Sequence, residues 1–106
     1  MLILSSCSFD REYNEDIVIQ SAEHDAEIVI KEWSFLLGSG AEIYYRVGAK
    51  ETLLGKLQGG DNGFCPFKEG VYNVSFNGDE ITVEWSKFAN CNRASWEAKT
   101  FKFPND

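Results

Sequence analysis

The residue types best suited to chemistry are scarce in this chain of 106 residues, which has one histidine, His24, and three cysteines. Pairing His24 with Cys65 would place a thiol nucleophile beside an imidazole base, and Asp25 could orient the ring. However, Asp25 directly follows His24, and adjacent side chains in a turn usually point apart. A histidine in a polar loop is most often solvated, so the sequence predicts no catalytic residue and a protein that is not an enzyme.

The sequence also offers no recognisable set of metal ligands. Cys65 has no second cysteine at the spacing of a thiolate zinc site. The stretch GGDNG (59–63) supplies oxygen donors at Asp61 and Asn62, but the later acidic ligand would have to be Glu69, which is not at the offset of a calcium loop. An ordinary glycine-rich turn is the better interpretation, and we expect neither a metal nor a cofactor.

Aromatic side chains are the remaining candidates for binding a ligand. Tyr44 and Tyr45 are successive, so one of them must face outward if they lie in a strand. Phe64 and Phe67 flank a glycine-rich loop. Aromatic rings stack on sugar rings or anchor protein interfaces, although a small domain needs most of its rings for its core. We therefore predict a binding patch at Tyr44, Tyr45, Phe64 and Phe67, for a protein or a carbohydrate.

The charge distribution separates a leading segment from the rest of the chain. The net charge of −7 disfavours nucleic acid, because binding phosphates requires clustered Lys and Arg. Residues 1–27 hold seven acids and one base, whereas residues 28–106 hold ten acids and nine bases. We assign residues 8–15 to an acidic, solvated tether and residues 16–106 to one domain, most of which, residues 28–106, is nearly neutral.

Short apolar runs at roughly even spacing indicate an all-β fold. They predict strands at 16–20, 27–38, 42–48, 52–58, 71–76, 81–85 and 95–104. Six or seven strands without a convincing amphipathic helix favour a small antiparallel β-sandwich or barrel. Ile28 and Ile30 share one face of the second run, but Trp33 and Phe35 fall on the other, which predicts a β-bulge near Glu32.

The best local signal is a hairpin around Asn77 and Gly78. Both residue types tolerate the positive φ of a type I′ turn. A two-residue loop would put Asp79 among the apolar residues, so a four-residue loop over 77–80 is slightly better, although either register keeps the same faces together. The sets that should oppose each other are Tyr72, Val74 and Phe76 on one strand and Ile81, Val83 and Trp85 on the other.

The N-terminal residues resemble a known signal. Leu4, Ser5, Ser6 and Cys7 resemble a bacterial lipobox, in which an aliphatic and two small residues precede a cysteine that is lipidated. The resemblance implies lipid attachment at Cys7, a membrane partner through that lipid, and an extracytoplasmic location in the cell envelope. A complete signal has a basic start and roughly 7–15 apolar residues, so residues 1–7 are expected to be the remnant of a truncated one. The alternative is a first β-strand and a polar turn.

If Cys7 carries lipid, Cys65 and Cys91 remain as a candidate disulfide. A disulfide between them would close a loop of about 26 residues and stabilise the domain by about 3 kcal/mol. Such bridges persist in oxidising compartments. The alternative is that both are buried thiols, since unpaired cysteine is among the most buried residue types.

Together these features predict the non-catalytic binding domain of a small exported lipoprotein with an unknown ligand. The alternative is a soluble, cytoplasmic inhibitor or immunity-type protein whose acids meet a basic protein partner.

Overall fold

The computed structural model describes residues 12–21, 25–35, 38–58, 64–88 and 93–104, which form two antiparallel sheets. The strands are β1 (Glu12–Tyr13), β2 (Ile17–Gln20), β3 (Glu27–Phe35), β4 (Gly38–Val47), β5 (Lys50–Gln58), β6 (Tyr72–Asn77), β7 (Glu80–Ser86) and β8 (Trp96–Lys102), with a short 3₁₀ helix at Arg93–Ser95. The predicted all-β class is confirmed, with eight strands where the sequence predicted six or seven. Within the described residues, no helix is long and apolar enough to cross a membrane.

The larger sheet contains β1 to β5, and its first two strands share one edge. β1 and β2 both pair with β3, while β4 and β5 follow on the other side. Between β1 and β2, the backbone N–H of Asn14 donates to the carbonyl of Glu32 at 2.9 Å. The folded domain therefore begins by Glu12, within the stretch 8–15 that the sequence analysis assigns to a solvated tether.

The smaller sheet contains β6, β7 and β8, and it includes the predicted hairpin. Phe76 lies opposite Ile81, as the four-residue loop requires. Asn77 and Glu80 also pair, so the loop that connects β6 and β7 consists of Gly78 and Asp79. Gly78 has a φ of 63°, a left-handed conformation that glycine adopts without steric cost.

The core lies between the inner faces of the two sheets. Ile28, Ile30 and Ile43 on the larger sheet are fully buried, as are Ile81 and Val83 on the smaller one. Burying a side chain of this size contributes about 1.5–3 kcal/mol each. The core also includes Ala41, Leu57, Phe67, Trp85, Phe101 and Phe103.

The predicted bulge near Glu32 is wrong, and the reason is the burial of that residue. β3 pairs with β4 without any register shift from Glu27 to Phe35. Glu32 stays on the inner face with Ile28 and Ile30 and is 1% exposed. The register shift lies instead between β4 and β5, where Leu54 is the extra residue between the partners of Ile43 and Tyr44.

Candidate functional site

The four aromatic residues predicted as a patch do not form one surface. Tyr44 faces outward on the larger sheet, whereas Tyr45 faces inward, with its ring centroid 5.3 Å from that of Phe103. Phe67 is 2% exposed and belongs to the core. Phe64 is half-buried, and its carbonyl accepts a hydrogen bond from Ser39 Oγ at 2.7 Å.

Several other residues singled out by sequence lie outside the described residues: Cys7, His24, Cys91 and the stretch 59–63. Cys65 is half-buried, and burial raises the pKa of its thiol. Because Cys91 is not described, the disulfide stays a prediction. Glu69, the remaining candidate for a calcium ligand, is exposed on the turn that follows Cys65.

Glu32 holds the loop before β6 against the larger sheet. Its Oε2 accepts the backbone N–H of Phe67 at 2.9 Å, and its Oε1 accepts that of Lys68 at 2.8 Å. The side-chain amide of Asn14 donates to the same Oε1 at 3.0 Å. Burial raises the pKa of Glu32, and these hydrogen bonds offset only part of that effect. Because the carboxyl group is enclosed, we assign it a structural role.

The outer face of the larger sheet carries an apolar row that runs across four strands. Val18, Val29, Tyr44 and Leu53 are register neighbours, and Val18 and Leu53 are about half exposed. Beside this row, Glu42 accepts hydrogen bonds from the hydroxyls of two tyrosines. Tyr44 Oη lies 3.0 Å from Oε1 of Glu42, and Oη of Tyr13, from β1, lies 3.1 Å from Oε2.

The cations on this outer face are paired with carboxylates. Lys31 Nζ lies 3.2 Å from Asp16 and 3.6 Å from Glu51. Arg46 lies 2.9 Å from Glu27 and 3.4 Å from Glu51. These contacts raise the pKa of both cations, since a neighbouring carboxylate favours the charged form. The outer face therefore has no surplus of positive charge around these two residues.

A concave surface lies at the other edge of the larger sheet, away from β1 and β2, where β5 runs beside β8. Two side chains of the smaller sheet reach across to the backbone of β5. Lys99 Nζ donates to the carbonyl of Lys56 at 3.3 Å, and Trp85 Nε1 donates to that of Gln58 at 3.1 Å. Two adjoining cavities of about 520 and 370 Å³ open here. We call them together the β5–β8 cleft.

The two cavities share one wall and differ in the rest of their lining. Both are lined by Lys56, Leu57, Gln58 and Lys99. The larger cavity adds Trp33, Gly38 and Ser39, and the smaller adds Trp85, Lys87, Glu97 and Ala98. The cleft therefore presents the half-buried indole of Trp33, the amide of Gln58 and three lysines. These groups can stack on the apolar face of a ligand ring, hydrogen-bond to its polar groups and neutralise an anion.

At the wall of the larger cavity, the Trp33 indole packs over Gly40, whose lack of a side chain makes room for it. A Cβ atom on Gly40 would lie 2.4 Å from Cζ2 of Trp33 and 2.7 Å from the carbonyl oxygen of Leu57. No side chain fits at such distances, so the indole lies directly against the backbone of β4. One side of the indole is therefore packed against the sheet.

Three lysines line the cleft, and one of them, Lys56, lies directly opposite Glu42 of the outer face in the register of β4 and β5. Among the described residues, no carboxylate lies within ion-pair distance of Lys56, Lys87 or Lys99. Glu97 is the one carboxylate in the described lining of the two cavities. The described lining of the cleft thus holds three lysines and one carboxylate.

Comparison with known proteins gave no match: no family model, no curated protein and no solved structure matches this chain. The functional assignment therefore depends on the geometry and chemistry of the chain's own residues.

Proposed function

We propose that this chain is the non-catalytic binding domain of a small exported bacterial lipoprotein, and that its ligand binds in the β5–β8 cleft. The observation that carries this proposal is the cleft itself. Ligand sites are usually concave and partly apolar, with a few polar groups placed at the wall. Half-buried Trp33 supplies apolar surface beside Leu57 and Trp85, which are almost entirely buried, and Lys56 and Gln58 supply the polar groups.

The chemistry of the lining favours binding over catalysis. Among the described lining residues, Ser39 carries the only hydroxyl group, and this group donates to the carbonyl of Phe64. Acyl or phosphoryl transfer through a serine needs a base beside the hydroxyl. Glu97, the carboxylate of the lining, belongs to the other cavity. Lysine, glutamine and tryptophan side chains are well suited to holding a ligand in place.

The lipid anchor rests on the resemblance of Leu4 to Cys7 to a lipobox. Five peptide units separate Cys7 from Glu12, where β1 begins, and they can span at most about 17 Å. The domain would therefore stand close to the membrane surface, with the β1 edge nearest to it. Stable anchoring requires two membrane signals, such as two acyl chains, because a single chain binds reversibly.

The anchoring part of the proposal is tested by the intact mass of the protein extracted from its native host, alkylated after denaturation with and without prior reduction. We expect a chain that begins at Cys7 and carries the added mass of acyl chains. A chain still beginning at Met1 with three free thiols would contradict export and anchoring. It would instead favour the second candidate described below.

The binding part is tested by NMR titration of the ¹⁵N-labelled full chain with fractionated cell-envelope glycans and envelope proteins. We expect saturable shifts of the Trp33 indole N–H and of the backbone amides of Lys56 and Gln58. The variant Trp33→Ala should weaken binding, whereas Leu53→Ala, on the outer face, should not. Shifts confined to the outer face would contradict the proposed location.

A second candidate is the soluble inhibitor or immunity-type protein, and one observation favours it. Glu12, Glu15, Asp16 and Asp25 are exposed along the edge formed by β1 and β2 and the turn that follows. A basic protein partner could bind this edge by electrostatic complementarity. Such a complex would weaken steeply with added salt and would not need the cleft.

A further inference from the structure

We propose that the ligand of the β5–β8 cleft is a short acidic saccharide. Its carboxylate or sulfate group lies near Lys56 and Lys99, and one of its sugar rings stacks on Trp33. This inference rests on the proposed function, since it names the ligand class of the same site.

The charge of the cleft is the first argument. Lys56 and Lys99 line both cavities, and Lys87 lines the smaller one. Like charges gathered in a concave surface repel each other and raise the local potential. On the outer face, Lys31 and Arg46 form ion pairs with carboxylates. In the cleft, an anionic ligand group would take the place of those carboxylates.

The indole wall is the second argument. A pyranose has an apolar face formed by its C–H groups and a polar rim of hydroxyls, so it needs a flat ring beside hydrogen-bonding groups. Trp33 supplies the ring, which packs closely over Gly40. Packing against the backbone restricts a ring before binding and so lowers the conformational entropy that binding costs. Gln58, on the same wall, is exposed and can both donate to and accept from hydroxyls.

The size of the cleft and the charge of the whole chain limit the ligand to a short one. The larger cavity, of about 520 Å³, lies within the range of small-molecule sites, roughly 300–1,000 Å³. A long polyanion would also meet the net charge of −7 carried by the chain and would be repelled outside the cleft. A saccharide of a few rings with one or two charges at the lysines avoids that repulsion.

Two pairs of probes test the charge requirement and separate the two sources of anionic charge. Tetragalacturonate is compared with its full methyl ester, and 6-sulfated N-acetyllactosamine with the unsulfated disaccharide. Dissociation constants are measured by the NMR shift of the Trp33 indole N–H in the full chain, in low salt and in 0.3 M salt. We expect at least one anionic probe to bind about tenfold more tightly than its neutral partner, with the difference reduced in high salt.

Lysine variants test which residues make the anionic probe bind more tightly than its neutral partner. Lys56→Gln and Lys99→Gln replace exposed side chains, so both variants should fold. Each should weaken binding of the anionic probe about five- to tenfold and leave the neutral partner unchanged. Lys102→Gln is the matched control, because Lys102 is an exposed lysine of the same strand as Lys99 but does not line the cleft.

The outcomes separate this inference from the proposed function. Equal binding of an anionic probe and its neutral partner in the cleft would overturn the acidic ligand while leaving the cleft as a binding site. Loss of binding in Lys102→Gln equal to that in Lys56→Gln would overturn the assignment of the anion to the cleft. If no probe shifts the Trp33 resonance, the acidic saccharide is wrong, and the envelope titration described above decides whether the cleft binds another ligand.

Discussion

Replacing Glu32 with glutamine should destabilise the domain although the two side chains have nearly the same shape. The two carboxylate oxygens serve different donors, because Oε2 accepts from Phe67 and Oε1 from Lys68 and Asn14. Glutamine has one oxygen and one NH₂ group, so one backbone N–H would face another donor. A buried donor left without an acceptor costs about 1–3 kcal/mol. Glu32→Ala, which removes both acceptors and leaves a cavity, should cost about 3–5 kcal/mol.

The same substitution should change how stability depends on pH. Burial raises the pKa of Glu32 in the folded state above its ordinary value, so the folded chain holds this proton more tightly than the unfolded chain. The stability from that protonation is fully present below the unfolded pKa, about 4.3. This stability is lost as the pH rises through the pKa of Glu32 in the folded state. The stability advantage of the wild type over Glu32→Gln should therefore be largest near pH 4 and decrease toward neutral pH.

The assay is urea unfolding followed by tryptophan fluorescence at several pH values, together with hydrogen exchange of the Phe67 and Lys68 amides. Glu69→Gln is the control, because Glu69 is exposed on the same loop and its loss should change stability by less than about 0.5 kcal/mol. Exchange at Phe67 and Lys68 should accelerate in Glu32→Gln and not in the control. A wild-type advantage that grows as the pH rises would refute the reasoning, since it would mean that the hydrogen bonds outweigh burial.

Two glycine substitutions give further predictions. Gly78→Ala should lower the free energy of unfolding by about 1–2 kcal/mol, because its φ of 63° is unfavourable for a residue with a Cβ. Chemical denaturation checks this prediction, and an unchanged midpoint would contradict the left-handed turn. Gly40→Ala should lower stability by about 1–3 kcal/mol and displace the Trp33 indole, whose Cζ2 would lie 2.4 Å from the new Cβ. A shifted Trp33 indole resonance checks it, with Ala98→Gly on β8 as a control that should leave this resonance in place.

The parts of the fold that follow from local sequence were predictable. Alternating apolar residues around Asn77 and Gly78 fix both the hairpin and its facing pairs, because each inward residue meets another across the strands. The β3 stretch misled the same reasoning, because the apolar Trp33 and Phe35 were expected on the inner face with Ile28 and Ile30, and they lie on the other face without a bulge. Glu32 lies inside because backbone N–H groups distant in sequence satisfy it, and no local pattern encodes those partners.

The cleft could not be predicted, because it depends on the order of strands. Lys56 and Lys99 are 43 residues apart, and they meet because β5 and β8 run side by side at the edges of their sheets. Strand β1 was missed for a different reason. Two residues, Glu12 and Tyr13, are too few to show alternation, and they lie in a polar segment that resembles a solvated tether.

If the chain is anchored at Cys7 as proposed above, the arrangement of β1 has a mechanical consequence. β1 joins the sheet through only two paired residues, supplemented by the side chains of Tyr13 and Asn14, whereas β2 has four pairs. A load pulling on the chain before Glu12 would reach these weak contacts first and detach them one after another. The released residues 12–16 would lengthen the connection by up to about 17 Å before the load reached β2. Detachment of β1 would thus lengthen the connection between the anchor and the domain. The cleft lies at the opposite edge of the same sheet and would keep its shape.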